Sequence, residues 1–420
     1  MRAMVWWRIG WRNLWRSRKR TAITAGALAL GFLSATLMVG LSDGIVAQMI
    51  ENGTELVTGQ LQIHHVEYKP ERSLYSTIGG RDGTDVEALV AMVAARPDVE
   101  GAAPRVYGGG LVSSGSETSA GILMGVDFER EPQVSRMLDG LTAGRLPEPG
   151  RREVLLGSEM ARKLHVEPGA ELVLVAGAAD GSLGNDLYTL SGIFHTGMAV
   201  LDAGYAILSI ETLQDLLVLD RSRIHEVAAS MTAPWGATDA ATALQTTVGR
   251  QVPDLEVESW VSFRPDLAEY AQLAGSANWI IIVVVFVMAI FGVANTMLMA
   301  TFERRQEFAI IRALGSARSG IVQTVLYEGI VLGVISLIAG AIITIPIMLW
   351  WSVSPPSLAA LVGDFTMAGS LVQANLRVVL TWKTPLMSAA ALFLTAILAS
   401  LYPAIRSARV PPADALAGAE

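Results

Sequence analysis

Four long apolar stretches, with one soluble-looking block set between the first and the second, constrain this chain more than any other feature. They cover residues 21–46, 279–301, 321–351 and 385–405. As a helix rising 1.5 Å per residue, each can cross about 30 Å of hydrocarbon. The block at 47–277 must then sit on a single side of a bilayer. That layout suits a membrane device with a large outboard domain and counts against a soluble enzyme. A hydrophobic content of 52% fits such a mixture.

Charge is partitioned along the chain. Residues 46–277 hold 16 basic and 32 acidic residues, a net of −16, while the rest holds 15 and 7, a net of +8. Arg2, Arg8, Arg12, Arg16, Arg18, Lys19 and Arg20 precede the first span, and Arg304, Arg305, Arg312 and Arg318 lie between spans two and three. Arg406 and Arg409 follow span four, whereas the 352–384 loop carries only Arg377 and Lys383. The positive-inside rule then puts both termini, the 302–320 loop and the 406–420 tail in the cytoplasm, and the acidic domain outside it. The first span is longer than a signal-peptide core, and Leu41-Ser42-Asp43-Gly44 follows it rather than a small-residue cleavage site, so an uncleaved anchor is expected.

Within residues 1–20, Trp7, Trp11 and Trp15 recur every four residues beside Arg8, Arg12 and Arg16. Indole at the headgroup level and arginine against anionic lipid predict a helix lying in the membrane plane. The plainer alternative is a positively charged anchor with aromatic ends.

The outboard block reads as mixed α/β. Strands are expected at 61–64, 105–112, 120–126, 153–156, 170–175, 188–194, 205–209, 227–231 and 255–258. Helices are expected at 85–95, 158–164, 211–219 and 237–248, and a helix from Pro265 is expected to run straight into span two. The β-α-β rhythm appears at both ends of the block, and its middle is richer in strand. This predicts one subdomain built from the two ends and another from about 105–200. Pro346 is expected to kink span three, and Pro385 stands in the first turn of span four.

Several chemistries find no support. A P-loop needs a lysine after a glycine, and none of Lys19, Lys69, Lys163 and Lys383 follows one. A conventional P-loop ATPase is thereby excluded. The chain has no cysteine, hence no disulfide and no thiolate ligand. His64 and His65 point to opposite faces of a strand, so a metal site there is not expected. Nor is a hydrolase or a metalloenzyme.

The positive signal follows span two. Glu303, Arg304, Arg305, Glu307, Phe308, Ile311 and Arg312 lie on one amphipathic segment, and Gly315 is placed to end it. A helix with mixed charge and an apolar stripe can dock into a groove on a partner. The alternative is a basic loop that only fixes topology. Inside the spans, Asn295 and Thr296 are candidates for hydrogen bonds between helices. Glu328 lies about 10 Å into span three, as a functional relay or as the partner of Arg312 or Arg318. Asp43 is read as a solvated cap at the outer end of span one.

These residues carry a resemblance. The run NTMLMATFERRQEFAIIRALGSARSGI, at 295–321, resembles the segment after the second span of FtsX-like ABC permeases, which include MacB-type exporters and the lipoprotein-releasing LolC/LolE type. The opening WRNLWRSRKRT and the ending YPAIRSARVPPADAL are similar to that family's N-terminal elbow and closing segment. GILMGVDFE and REVLLGSEMARKLHVEPGAELVLV resemble its periplasmic core. TLSGIFHTGMAVLDAGYAILSIETLQDLL is closest to the lipoprotein-releasing branch.

The resemblance implies four transmembrane helices with a mixed α/β periplasmic domain, porter-like with a β-rich insertion, between helices 1 and 2. It implies a multi-pass protein of the inner membrane and a non-catalytic subunit. Two copies of a cytoplasmic ABC ATPase would bind the ATP and magnesium, so no cofactor is expected on this chain. Further partners implied are a second permease chain, a periplasmic carrier or adaptor, and membrane lipid, with no nucleic acid. The segment at 303–315 would be the coupling helix, and the chain a mechanotransmitter that extracts lipoproteins. The alternatives are MacB-type efflux of small molecules or peptides, a cell-division-type regulator of a periplasmic hydrolase, and a sensor without an ATPase.

Overall fold

The computed structural model describes residues 11–411 except 13, 14, 17, 70, 71, 81, 82, 116, 358–364, 368, 369, 373, 374, 376 and 380. The chain runs α1 (Arg18–Glu55), β1 (Leu61–His65), α2 (Val86–Ala94), β2 (Val99–Ser114), β3 (Glu117–Val126), β4 (Leu141–Gly144) and β5 (Glu153–Gly157). It continues with α3 (Ser158–Leu164), β6 (Glu171–Gly177), β7 (Leu183–Phe194), α4 (Ala199–Gly204), β8 (Tyr205–Ser209), α5 (Ile210–Leu216) and β9 (Glu226–Met231). Then come α6 (Ala237–Gln251), β10 (Leu255–Ser259), α7 (Trp260–Phe263), α8 (Pro265–Glu303), α9 (Arg305–Ala313) and α10 (Arg318–Val353). A short hairpin of β11 (Phe365–Met367) and β12 (Ser370–Val372) precedes α11 (Lys383–Ala408). Two compact units result, one of residues 48–270 with the hairpin, the other of the flanking long helices.

In the α/β unit, β10, β1, β9 and β2 lie side by side in that order, all antiparallel. β1–α2–β2 and β9–α6–β10 are therefore two interlocked βαβ units, the split-βαβ arrangement. Asp85 starts α2 by accepting the Ala88 N–H, and Leu89, Val90 and Val93 are its buried face. Ala237, Ala240, Ala241, Leu244 and Val248 form the buried stripe of α6.

Everything between β2 and β9 is inserted into that frame. β2 pairs with β3, β3 with β8, β8 with β5, β5 with β7, β7 with β6, and β6 again with β2, so the six strands close a ring. Along β6, Leu172, Leu174 and Ala176 are buried and alternate with more exposed residues, the period of two that a strand with one covered face requires. The expected two subdomains correspond to these two strand sets, but the sets share one sheet. β2 is the reason. Its Val99–Arg105 stretch pairs with β9, and its Gly110–Ser113 stretch pairs with both β3 and β6. Pro104 falls where β2 has β9 on one side and β3 has not yet begun, an edge position that tolerates a missing N–H.

Where the two sets meet, Arg105 is fully buried. Its Nε and Nη2 donate to the two carboxylate oxygens of Glu131 at 3.1 and 2.6 Å, and its Nη1 donates to Glu226 at 3.2 Å. Glu226 also accepts the Tyr107 hydroxyl, and Glu131 the Ser135 hydroxyl. His225 is buried beside them. Its Nδ1 accepts the Tyr107 backbone N–H at 3.0 Å, and its Nε2 donates to the Leu74 carbonyl at 3.2 Å, so the ring is held neutral. Burial pushes its pKa down from 6.5 to about 4.

The long helices satisfy their own backbones, as a bilayer demands. All four exceed 18 residues and are apolar enough to cross one. α8 runs unbroken from Pro265 for 39 residues, and α10 continues without interruption past Pro346. One core joins them, with Leu28 and Phe32 from α1, Phe286 and Met297 from α8, Val325 and Leu332 from α10, and Leu392 and Ala399 from α11. A Cβ at Gly329 would lie 2.5 Å from the Ser400 hydroxyl, so the α10–α11 crossing needs a glycine there. Asp43 is not a solvated cap, because α1 continues past it to Glu55. Its carboxylate accepts from Asn278 Nδ2 at 3.2 Å and from the Thr384 hydroxyl at 3.3 Å, tying α1 to α8 and to the start of α11.

His225 has a consequence for stability against pH. A base whose pKa is depressed by folding leaves the unfolded chain holding more protons between pH 6.5 and about 4. Its contribution is present above pH 6.5 and falls away below it, by on the order of 3 kcal/mol over the whole window. Glu258, held down to about 2 by hydrogen bonds from His64 and Lys69 against its burial, contributes undiminished until the pH falls below 4.5. The midpoint of thermal unfolding of the full-length protein is thus expected to fall between pH 6.5 and 4.5. His225→Gln, which keeps one donor and one acceptor, is expected to flatten that slope, and an unaltered slope in the variant would refute the assignment.

Candidate functional site

The arginine-rich end of the helix bundle gathers most of the residues singled out in the sequence. It does so by a break in the backbone. One continuous helix from Glu303 is expected from the spacing, yet α8 ends at Glu303, α9 begins at Arg305, and Arg304 between them leaves helical geometry at φ −102°, ψ 16°. Glu303 therefore belongs to the end of the long helix and not to α9. The break lets the Arg304 side chain turn inward, where its Nη1 donates to Glu328 Oε1 of α10 at 2.7 Å. Glu328 is thus paired with Arg304, not with Arg312 or Arg318. A carboxylate among apolar helices keeps its charge only beside such a partner.

The contact is one link in a chain of alternating charges. Arg304 Nε also donates to Glu307 Oε2 at 3.0 Å, and its guanidinium lies over the Phe308 ring, 5.0 Å from the centroid. Glu307 Oε1 accepts from Arg16 Nη1 at 2.7 Å, and Glu303 accepts from Arg20 Nη1 at 2.6 Å. Burial works to raise the Glu307 pKa, but the hydrogen bonds from Arg304 and Arg16 outweigh it and hold the carboxyl below its ordinary range. These charges and Thr296 line a cavity of about 280 Å³.

The faces of α9 are sorted by this anchoring. Phe308 and Ala309 are buried, Phe308 in the core of the bundle. Arg312 Nη1 donates to the Ala408 and Val410 carbonyls at 3.3 and 2.8 Å, which fixes α9 to the end of α11. Gly315, at φ +93°, ends the helix: its N–H bonds to the Arg312 carbonyl and the Ser316 N–H to the Ile311 carbonyl, a Schellman closure. Arg305 is half-buried. Ile310, Ile311 and Leu314 remain exposed, Leu314 at 83%. The exposed stripe was only partly visible in the sequence, which pointed to Phe308 and Ile311.

Other candidates land elsewhere. Trp11 and Trp15 lie on helical turns with their rings 6.0 Å apart, both exposed, and Arg12 is exposed beside them. Trp7 lies outside the described residues. Arg16, expected against lipid, is bound to Glu307. Thr296 donates to the Gly292 carbonyl of its own helix at 2.9 Å rather than to a neighbouring helix, and Asn295 is exposed.

Two arrangements resemble hydrolase chemistry and lack its geometry. Gly40-Leu41-Ser42-Asp43-Gly44 spells G-x-S-x-G, but it lies inside α1 and not on a strand-to-helix elbow. A Cβ at Gly44 would lie 1.8 Å from the Arg377 carbonyl, which explains that glycine. Ser158, His195 and Asp202 also meet, yet the hydroxyl at 3.0 Å and the carboxylate at 2.7 Å both address Nδ1 of the ring. A general-base relay needs them on opposite nitrogens.

Residues 21–247 match the MacB-like periplasmic core domain, and residues 279–412 match the FtsX-like permease C-terminal region. The chain is 24% identical over 429 residues to the lipoprotein-releasing system transmembrane protein LolC of Xylella fastidiosa (strain Temecula1), covering 97% of both chains. It is 24% identical over 422 residues to the LolE protein of that system in Haemophilus influenzae, covering 97% of this chain and 98% of that one. The crystal structure of the periplasmic region of MacB from Actinobacillus actinomycetemcomitans aligns over 52% of this chain and 95% of its own, with a TM-score of 0.35 and 13% identity. By the two family matches, the first of which spans more than half of its length, the chain belongs to the FtsX-like permeases that carry a MacB-like periplasmic core domain.

Proposed function

We propose that this chain is the transmembrane subunit of an ABC transporter that releases lipoproteins from the inner membrane with ATP hydrolysed on a separate subunit. The observation that carries the reading is the exposed apolar stripe of α9. Ile310, Ile311 and Leu314 face outward from a helix otherwise fastened down at both ends, which is how a rigid ridge is offered to a groove on another protein. In this reading the arginine-rich end is cytoplasmic, α9 is the coupling helix seated on the ATPase, and a second permease chain completes the assembly. The near full-length similarity to proteins named for lipoprotein release supports that cargo over small-molecule efflux and over control of a cell-wall hydrolase. Handover would be to a periplasmic carrier.

Three outcomes are expected. Ile310→Glu with Leu314→Glu should cut the amount of co-purifying ATPase by roughly tenfold or more, the scale on which apolar anchors at an interface act. Undiminished co-purification would remove the docking face. A reporter fused at residue 150 should read extracytoplasmic and one near residue 411 cytoplasmic; the reverse pattern would overturn the topology. Depletion of the chain should leave lipoproteins stranded in the inner membrane, whereas normal sorting would rule out the cargo.

A further inference from the structure

We propose that Arg305 and Arg406 hold the phosphate of a membrane phospholipid at the arginine-rich end of the bundle, with an acyl chain lying along the exposed apolar stripe of α11. This needs only that the long helices cross a bilayer, and it stands apart from the docking of α9 on an ATPase.

A second cavity at that end, of about 200 Å³, is lined by Arg305 and Arg406 with Phe302, Phe308 and Val410, and no carboxylate contributes to its wall. Drug-sized ligands fill about 300 Å³ or more, so the volume suits a single small anionic group. The neighbouring arginines are matched already. Glu307 takes Arg16 and Arg304, Glu303 takes Arg20, and Glu328 takes Arg304. Among the described residues Arg305 and Arg406 enter no such pair. Arg305 Nε is buried without a hydrogen-bond partner, and an orphaned buried donor calls for a ligand or an ion. Arg406 Nη1 donates to the Tyr402 hydroxyl at 3.1 Å, and its guanidinium stands 5.1 Å from the centre of the Phe302 ring. Neither contact supplies a negative charge.

Helix ends offset part of the excess. α8 and α11 both finish here, and a helix C-terminus carries about −0.5 of an elementary charge, so the two come to about −1. Against them stand the full charges of Arg305 and Arg406, and that of Arg312, which donates to the Val410 carbonyl. The balance stays positive. Guanidinium groups meet phosphate through paired N–H bonds, and two of them on one small cavity suit that group.

The position of Arg305 favours lipid over an acidic side chain of a docked protein. On α9 it shares a face with Phe308, Ala309 and Arg312, the face fastened to the bundle, while Ile310, Ile311 and Leu314 lie on the other side. A protein seated on that outer ridge is turned away from the cavity. Along α11, by contrast, Leu394, Leu398, Leu401 and Ile405 are all exposed and recur on one face that leads to Arg406. Tyr402 joins them with its hydroxyl on Arg406, as an aromatic does at headgroup level. An apolar stripe that ends at a cationic cavity complements a phospholipid, and basic pockets between membrane helices take lipid headgroups.

The test uses the purified full chain in detergent, with the first bound lipid followed by native mass spectrometry. Dioleoyl-phosphatidylglycerol is titrated against dioleoylglycerol, which has the same chains and no phosphate, and against inorganic phosphate alone. Phosphatidylglycerol is expected to bind Arg305→Gln with Arg406→Gln about tenfold more weakly than the unchanged chain, the scale of losing charge-assisted hydrogen bonds. Dioleoylglycerol is expected to show no difference. Arg12→Gln with Arg318→Gln, which removes the same charge from exposed positions at the same end, is expected to bind phosphatidylglycerol as the unchanged chain does. Equal binding by the first double variant would overturn the proposal, and an equal loss in the second would reduce the effect to general charge attraction and overturn it too. Should the first double variant fail to fold, Arg406→Gln alone is expected to weaken binding, and undiminished binding there refutes the site. Inorganic phosphate bound in place of the lipid would make this a site for a free anion. Loss of a co-purifying ATPase with lipid binding intact would assign the two arginines to that partner instead. Either result overturns the lipid assignment.

Discussion

A carboxylate inside a bundle of apolar helices must be matched, and the match for Glu328 is supplied by the residue at which the chain leaves one helix and begins the next. Much of the arginine-rich end follows from that pairing. Arg304 gives up helical geometry to reach inward, so α8 stops at Glu303 and α9 starts afresh in a new direction. With Arg304 drawn in, Phe308 enters the core and Glu307 turns toward Arg16. Ile310, Ile311 and Leu314 are left outside. The exposed apolar face of α9 is thus the remainder after the ionic and apolar anchors have taken their faces.

The opposite end of the bundle is closed by a milder version of the same device. Asp43 gathers Asn278 and Thr384 from two other helices. Close approach of backbones does the rest between the two polar ends, as at Gly329 against Ser400. In lipid there is little hydrophobic gain in bringing helices together, so small residues and polar contacts must set the crossings.

The α/β unit solves a separate problem, that of inserting a closed ring of strands into a split-βαβ frame without leaving a seam. A 16-residue strand shared by both sets makes one sheet of them. Arg105, with Glu131 and Glu226, occupies the junction with its charge matched on two sides. Such a network is worth little against an apolar core of equal volume, but it is intolerant of a missing partner, and so it fixes how the two sets meet.

Local patterns were legible in the sequence and long-range ones were not. Helix α3 and strand β8 stand where the spacing put them, and the run of α8 from Pro265 through the second span was foreseen, because periodicity and flanking glycine or proline are properties of the segment itself. The start of β2 was missed, since Gly101-Ala102-Ala103-Pro104 has none of the β-branched character that marks a strand. The Schellman end at Gly315 was visible from one glycine. The partner of Glu328 was not, since Arg304, Arg312 and Arg318 are equivalent as charges and differ only in where the folded backbone points them.

The sequence alone determined which four stretches are long and apolar enough to cross a bilayer and which block lies between the first two, because apolar length needs no partner to be read. Tertiary structure decided the break at Arg304, the closure of six strands into a ring and the face that α9 leaves exposed. Each of these depends on residues far apart in the chain competing for the same buried space, and a competition of that kind has no signature in any one segment.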